Sequence, residues 1–138
     1  ERLARHGGYL RYCTEPLSAI LRRPHIYESL AISLLGWRFA HKARAAGIPG
    51  NTRFSGVHDF AGRRPYGQLF KSFLDGAKPG LMVMSHPGLS DAALAAADPV
   101  TTAREEEYRY FLSDEFPAEL RNRGLRLTRF IPQEVHAA

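Results

Sequence analysis

Cysteine is nearly missing from this sequence: Cys13 is the only one in 138 residues. That excludes an internal disulfide and the Cys-rich zinc patterns, and Cys13 itself reads as a small packed side chain rather than a nucleophile. Long apolar runs are missing too, so no segment approaches the length that crosses a bilayer. There is no G-x-S-x-G elbow, no P-loop and no G-x-G-x-x-G turn. Those absences remove the common serine-hydrolase, nucleotide-phosphate and dinucleotide signatures. Internal repeats and low-complexity tracts are also lacking.

A basic stripe is the next absence. The formal net charge is +5, but the cations are scattered over Arg22-Arg23, Arg38, Lys42, Arg44, Arg63-Arg64 and Arg121 to Arg129. Only Arg38, Lys42 and His41 fall on one helical face. No stacking aromatics interleave with them and no nucleic-acid reading motif occurs. A solvated basic surface is the better reading, and nucleic acid is not an expected partner.

What is present fits one globular domain. Hydrophobic content of 44% and charged content of 24% are ordinary, and the length suffices for a core. The opening Glu1-Arg2-Leu3-Ala4-Arg5-His6-Gly7-Gly8 has the character of the last turns of a helix with a glycine stop. The chain is therefore expected to be the rear part of something longer, and localisation is left open.

Gly8 to Cys13 alternates like a short strand until Glu15-Pro16 breaks it. His25 to Gly47 carries the longest helical pattern, with Ile26, Leu30, Leu34 and Trp37 recurring on one face and Pro24 and Gly47 at its ends. Thr52 to Val57 predicts a weak strand, and Pro65 to Leu74 a second helix. Leu81 to Met84 predicts a buried strand, and Leu89 to Pro99 a loop of small residues. Thr102 and Glu105 have capping-box spacing before a third helix, which Pro117 to Arg123 continues or restarts, with Gly124 as its stop. Leu125 to Phe130 alternates and predicts a last strand. The fold class is α/β, with mostly parallel strands alternating with helices: half of an eight-fold (β/α) barrel, or a small open sheet.

In such folds functional side chains gather at the carboxyl ends of strands. The polar groups placed there are Arg11, then His58 and Asp59, then Ser85-His86. His86 is the best placed, because it follows the apolar run directly and Pro87 restricts its backbone. The plain alternative is a turn histidine that satisfies backbone carbonyls. His58-Asp59 could ligate a metal, but no third ligand stands at a recognisable spacing, and a surface turn is the better reading. Arg11 could clamp a carboxylate, or simply be an exposed edge residue. His6, His25, His41 and His136 sit in helix-end or surface contexts and carry no signal.

Four stretches together resemble the C-terminal half of the YdjC-like carbohydrate deacetylases. They are GGYLRYCTEP (7–16), RFSGVHDFAG (53–62), LMVMSHPGLSD (81–91) and TTAREEEYRYFLSDEFPAELRNRGLRLTRF (101–130), with Arg104 and Glu105 ahead of the closing helix. The resemblance implies a distorted (β/α) barrel, this chain being a single segment, 1–138, from its rear half. It also implies removal of an acetyl group from an N-acetylated sugar, with a divalent metal such as magnesium or zinc. The family's Asp-Asp pair and His-rich metal motif have no match here. The metal is therefore expected only in the intact protein, with none held tightly by this chain, which alone is expected to be inactive.

Within the resemblance His86 matches the His-Pro histidine and Arg11 the arginine of the first strand. The implied role of His86 is catalysis, with Arg11 at the sugar; His58 and Asp59, at the end of the second strand, are also expected to bind substrate. Amide hydrolysis needs an activated water, a base, and an acid for the departing amine. Histidine suits the acid role because its charge changes near neutral pH. Expected partners are the N-acetylated sugar and either a second copy or the missing N-terminal half. A non-catalytic sugar-binding module is the alternative, and a basic nucleic-acid-binding domain a weaker one.

Overall fold

The computed structural model describes residues 8–21 and 25–130, so the helix end expected at residues 1–7 and the helix start at Pro24 lie outside the described residues. In chain order the elements are α1 (Leu17–Ile20), α2 (Ile26–Ala45), β1 (Arg53–Ser55), α3 (Tyr66–Phe73), β2 (Leu81–Val83), α4 (Ala92–Ala97), α5 (Thr102–Leu112) and α6 (Glu115–Asn122). They divide into two units. One gathers the described residues of 1–58, 76–83 and 129–138; the other takes 59–75 and 84–128.

The first unit is organised by the small residues of α2. Ser29, Ser33, Ala40 and Ala43 are its buried positions, and with Gly36 they recur at intervals of four and three along one face. Small side chains let another backbone approach closely, and the segment from Tyr12 to Glu15 does so. Tyr12 packs on Ala40 and Ala43, a Cβ on Gly36 would stand 3.4 Å from Thr14, and the Glu15 N–H donates to Ser33 Oγ. The apolar row read from the sequence is not the buried one: Leu30, Leu34 and Trp37 are exposed. Close approach selected the face with the least bulk.

Tyr12 also explains why Gly8–Cys13 is not a strand. One parallel bridge forms, Leu10 opposite Gly50, and the ladder then passes to a side chain. Asn51 Oδ1 accepts the Tyr12 N–H at 2.6 Å, while its Nδ2 donates to the carbonyls of Tyr12 and Arg53 at 2.9 and 2.8 Å. The amide thus satisfies backbone groups that a neighbouring strand would otherwise pair. Gly50 is required beside it, since a Cβ there would lie 2.2 Å from the Tyr12 ring. The Tyr12 hydroxyl donates to the Ile48 carbonyl, and Arg44 lies 4.6 Å over its ring. Burial raises the Tyr12 pKa, against the opposing charge of Arg44. Cys13, the next residue, is exposed rather than packed.

β1 and β2 form a two-stranded parallel sheet, Arg53 opposite Leu81 and Ser55 opposite Val83. β2 is half-buried, not the buried strand its composition predicts. The barrel expected from the sequence is not seen: the described residues form a mixed α/β structure with this one small sheet. Leu125–Phe130 is not a strand either. Gly124 turns the chain at φ 63°, the Leu125 N–H returns to the Leu120 carbonyl at 2.8 Å, and Leu127 is exposed. An alternating pattern becomes a strand only where another strand accepts it. No helix among the described residues is long and apolar enough to cross a membrane.

In the second unit α3, α5 and α6 enclose aromatic rings. Phe70 on α3 meets Tyr110 and Phe111 on α5 and Phe116 on α6, with centroids 5.2, 5.5 and 5.6 Å away. The last two contacts are edge-to-face, the arrangement ring quadrupoles prefer. Gly67 permits the α3–α5 approach, as a Cβ there would stand 3.0 Å from Tyr110. Arg123, the C-cap of α6, joins Asp75, just past α3, at 2.9 Å and also pairs with Glu119. The predicted loop at 89–99 contains a helix, because Asp91 accepts the Leu94 N–H at 2.8 Å and caps an alanine run. The capping box expected at Thr102 and Glu105 does not form. Thr101 is the N-cap, without a side-chain bond.

Two substitutions measure these cores separately. Phe70→Ala removes the ring common to three helices and is expected to cost about 3–5 kcal/mol. Asn51→Asp keeps the acceptor for Tyr12 but sets a carboxylate against two carbonyls. Its expected cost, from lost and unfavourable buried polar contacts, is at least about 2 kcal/mol. Denaturant unfolding of each variant checks both values.

Candidate active site

The residues after β2 form an extended segment laid along α5. From His86 to Ser90 every second backbone N–H points to that helix. The His86 N–H donates to Glu107 Oε2, the Gly88 N–H to the Arg104 carbonyl at 3.1 Å, and the Ser90 N–H to Glu105 Oε1 at 3.4 Å. The period of two on the segment meets the helical turn of α5. This explains why Glu105 forsakes the capping role: its carboxylate serves Ser90 and pairs with Arg109. Glu107 is fully buried, and burial of a carboxylate is tolerated only where hydrogen bonds replace water.

His86 therefore has a fixed backbone. Its imidazole is half-buried and meets the Phe60 ring edge-on at a centroid distance of 5.4 Å. Nδ1 is buried and has no hydrogen-bond partner among the described residues. Buried polar atoms without partners are uncommon in folded proteins and invite a functional account.

Phe60 is itself unusual. It has φ 55°, the single positive-φ non-glycine among the described residues, in a region that costs a bulky L-residue energy. Asp59 supports the turn, its Oδ1 accepting the Ala61 N–H at 3.0 Å. Asp98 lies near enough to His86 for the imidazole's charge to act on it. Its carboxyl is held below the ordinary value by the Val100 backbone N–H, then by Arg104, with His86 contributing least. Burial, reinforced by the charge of Glu107, pushes the Tyr66 phenol far up, and burial pushes Tyr110 up to about 12.

The residues singled out in the sequence are distributed over both units. Arg11 and His58 belong to the first, Asp59 and His86 to the second. Arg11 is exposed, beside buried Tyr12; His58 is buried; Asp59 is exposed and closes its own turn. Among the described residues no three His, Cys, Asp or Glu side chains cluster to hold a metal ion. Sequence reasoning missed Glu107 and Phe60. Glu107 was hidden in a run of three glutamates that reads as a solvated face, and the backbone of Phe60 has no signature beyond the flanking glycines.

Comparison with known families makes the assignment. The family model described as YdjC-like protein matches residues 1–122. The chain belongs to the YdjC-like family, a carbohydrate deacetylase-like family. Neither the curated proteins nor the solved structures contain a match.

Glu107 can be tested apart from activity. Glu107→Ala leaves the His86 N–H without its acceptor and should cost about 1.5–3 kcal/mol. Glu107→Gln retains an acceptor oxygen and should cost less. Amide hydrogen exchange at His86 should quicken in the alanine variant and much less in the glutamine variant.

Proposed function

We propose that the intact protein is a metal-dependent hydrolase that removes N-acetyl groups from an amino sugar or glycan, and that His86 is its general acid. The observation that supports this most directly is the buried, unpartnered Nδ1 of a histidine whose backbone is held by Glu107, in a chain of the YdjC-like family. In this reading the chain is the C-terminal half of a larger (β/α)-barrel domain, with β1 and β2 among its parallel strands. A divalent metal, magnesium or zinc, belongs to the intact protein. The described residues offer no cluster for one, so no step is derived through it.

The step assigned to this chain is a proton transfer. Addition of water to the amide carbonyl gives a tetrahedral centre, and its collapse breaks the C–N bond. The departing nitrogen would leave as a poor anionic group unless it takes a proton as the bond breaks. Protonated His86 supplies that proton; the products are acetate and the free amine. The edge of Phe60 limits the freedom of the ring, which favours one orientation of the donor. Arg11, His58 and Asp59 are assigned to the sugar.

His86→Ala in the intact protein should lower kcat by about 10²–10⁴-fold. KM should change much less, because the proton moves in the transition state. Melting temperature and metal content should stay near those of the parent. Deacetylation kinetics on an N-acetylated oligosaccharide, run beside melting and metal analysis, decide the matter. Near-parental turnover in a folded, metal-loaded variant would remove His86 from the mechanism.

A further inference from the structure

A cavity opens in the second unit at the start of α3. Its volume is about 400 Å³, within the range of small-ligand sites. Arg64, Tyr66 and Gly67 line it from the α3 side, and Glu106, Arg109 and Tyr110 from α5. Arg109 is already paired with Glu105. Arg64 and Glu106 differ from it: among the described residues neither makes an ion pair or a hydrogen bond, with the other or elsewhere. Arg64 is exposed, where water serves it, but Glu106 is half-buried. A cation and a carboxylate that share one cavity without meeting leave a donor and an acceptor to be satisfied from inside it. Tyr110 is 7% exposed, and its buried hydroxyl has no hydrogen-bond partner among the described residues. Gly67 contributes main chain alone. Pro65 caps α3 without a side-chain bond, which leaves the first N–H groups of the helix open.

We propose that this cavity holds a further sugar unit of the glycan whose N-acetyl group is removed at His86. The inference rests on the deacetylase reading and adds to it a preference for an oligomeric substrate. Each hydroxyl of a sugar both donates and accepts, so a neighbouring pair can accept from Arg64 and donate to Glu106 at once. Charge disfavours a simple anion, because Glu105 balances Arg109, and Glu106 repels the charge that Arg64 attracts. Tyr66 and Tyr110 back the cavity with rings, and a few placed polar groups on an aromatic wall are the usual form of a small-ligand site. The cavity also lies near the histidine. Glu106 lines it, and Glu107, the next residue, accepts the His86 N–H. Consecutive helical residues project about 100° apart, so cavity and histidine flank the same turn of α5. A chain of several sugars can run from one to the other.

The test compares two substrate lengths in the intact protein. Between a tetramer and a dimer of N-acetylglucosamine, kcat/KM should favour the tetramer by about tenfold or more. Arg64→Ala and Glu106→Gln should each cut that ratio by about 3- to 10-fold. The loss should fall mainly in KM, because the contact is the same before and during the reaction. No preference for the tetramer overturns the inference. So does an unchanged ratio in both variants, or an equal fall for dimer and tetramer. Binding is measured separately. Added tetramer should shift the amide resonances of Gly67 and Glu106, and Arg64→Ala should need about tenfold more sugar for the same shift. If neither length is deacetylated, the deacetylase reading fails, and the titration still decides whether the cavity takes a sugar. Unmoved Gly67 and Glu106 amides overturn the inference with or without turnover. Sodium phosphate moving them where the sugar does not would mark an anion site and overturn it too.

Discussion

A buried carboxylate must be repaid in hydrogen bonds, and Glu107 shows how much structure that requirement can organise. Taken from water unpaired, such a group costs several kcal/mol. It lies fully inside the second unit and accepts the N–H of His86. Holding that bond fixes the segment after β2 against α5, where Arg104 and Glu105 accept the next two alternate N–H groups. α5 must in turn stay in place, and the rings it shares with α3 and α6 hold it. Tyr66 carries the consequence of standing close to that charge: burial and Glu107 together keep its phenol protonated. Position of the segment that carries the imidazole thus follows from one acceptor, on a helix that the aromatic rings hold in place.

The first unit solves a different problem. Its longest helix offers two apolar faces, and only one can meet the segment from Tyr12 to Glu15. Backbone proximity decided between them, since the hydrogen bonds of Asn51 and Ser33 need main chain within reach. Large side chains would hold that chain away. The bulky row is left outward as a result, which is why hydrophobicity alone misjudges α2.

That helix illustrates what the sequence makes legible. Its existence and ends were readable within a residue or two, as were α3 and α6, because periodicity, proline and glycine act locally. The face it buries was not, because that depends on what approaches. Gly8–Cys13 and Leu125–Phe130 have the alternation of strands, yet strand formation needs a neighbour, and an asparagine side chain or a returning carbonyl took that place. α4 was missed although Asp91 ahead of an alanine run is a local cap signal. The place of His86 just after β2 was legible from an apolar run ending in His-Pro-Gly. Its supports were not, since nothing local separates a glutamate that goes inward from the two beside it.

Phe60 adds the remaining constraint on that histidine. A bulky residue at positive φ costs on the order of 1–3 kcal/mol, which persists only when its surroundings insist on it. Asp59 closes the turn from one side through Ala61, and the Phe60 ring meets the imidazole from the other. Relaxing Phe60 to an ordinary conformation would swing the ring away and leave His86 free to rotate. Stability alone would select glycine or asparagine at that position. A phenylalanine held there against its backbone preference sets its ring against the imidazole, 5.4 Å between centroids, so the cost of the turn falls beside the one histidine whose buried nitrogen the described residues leave without a partner.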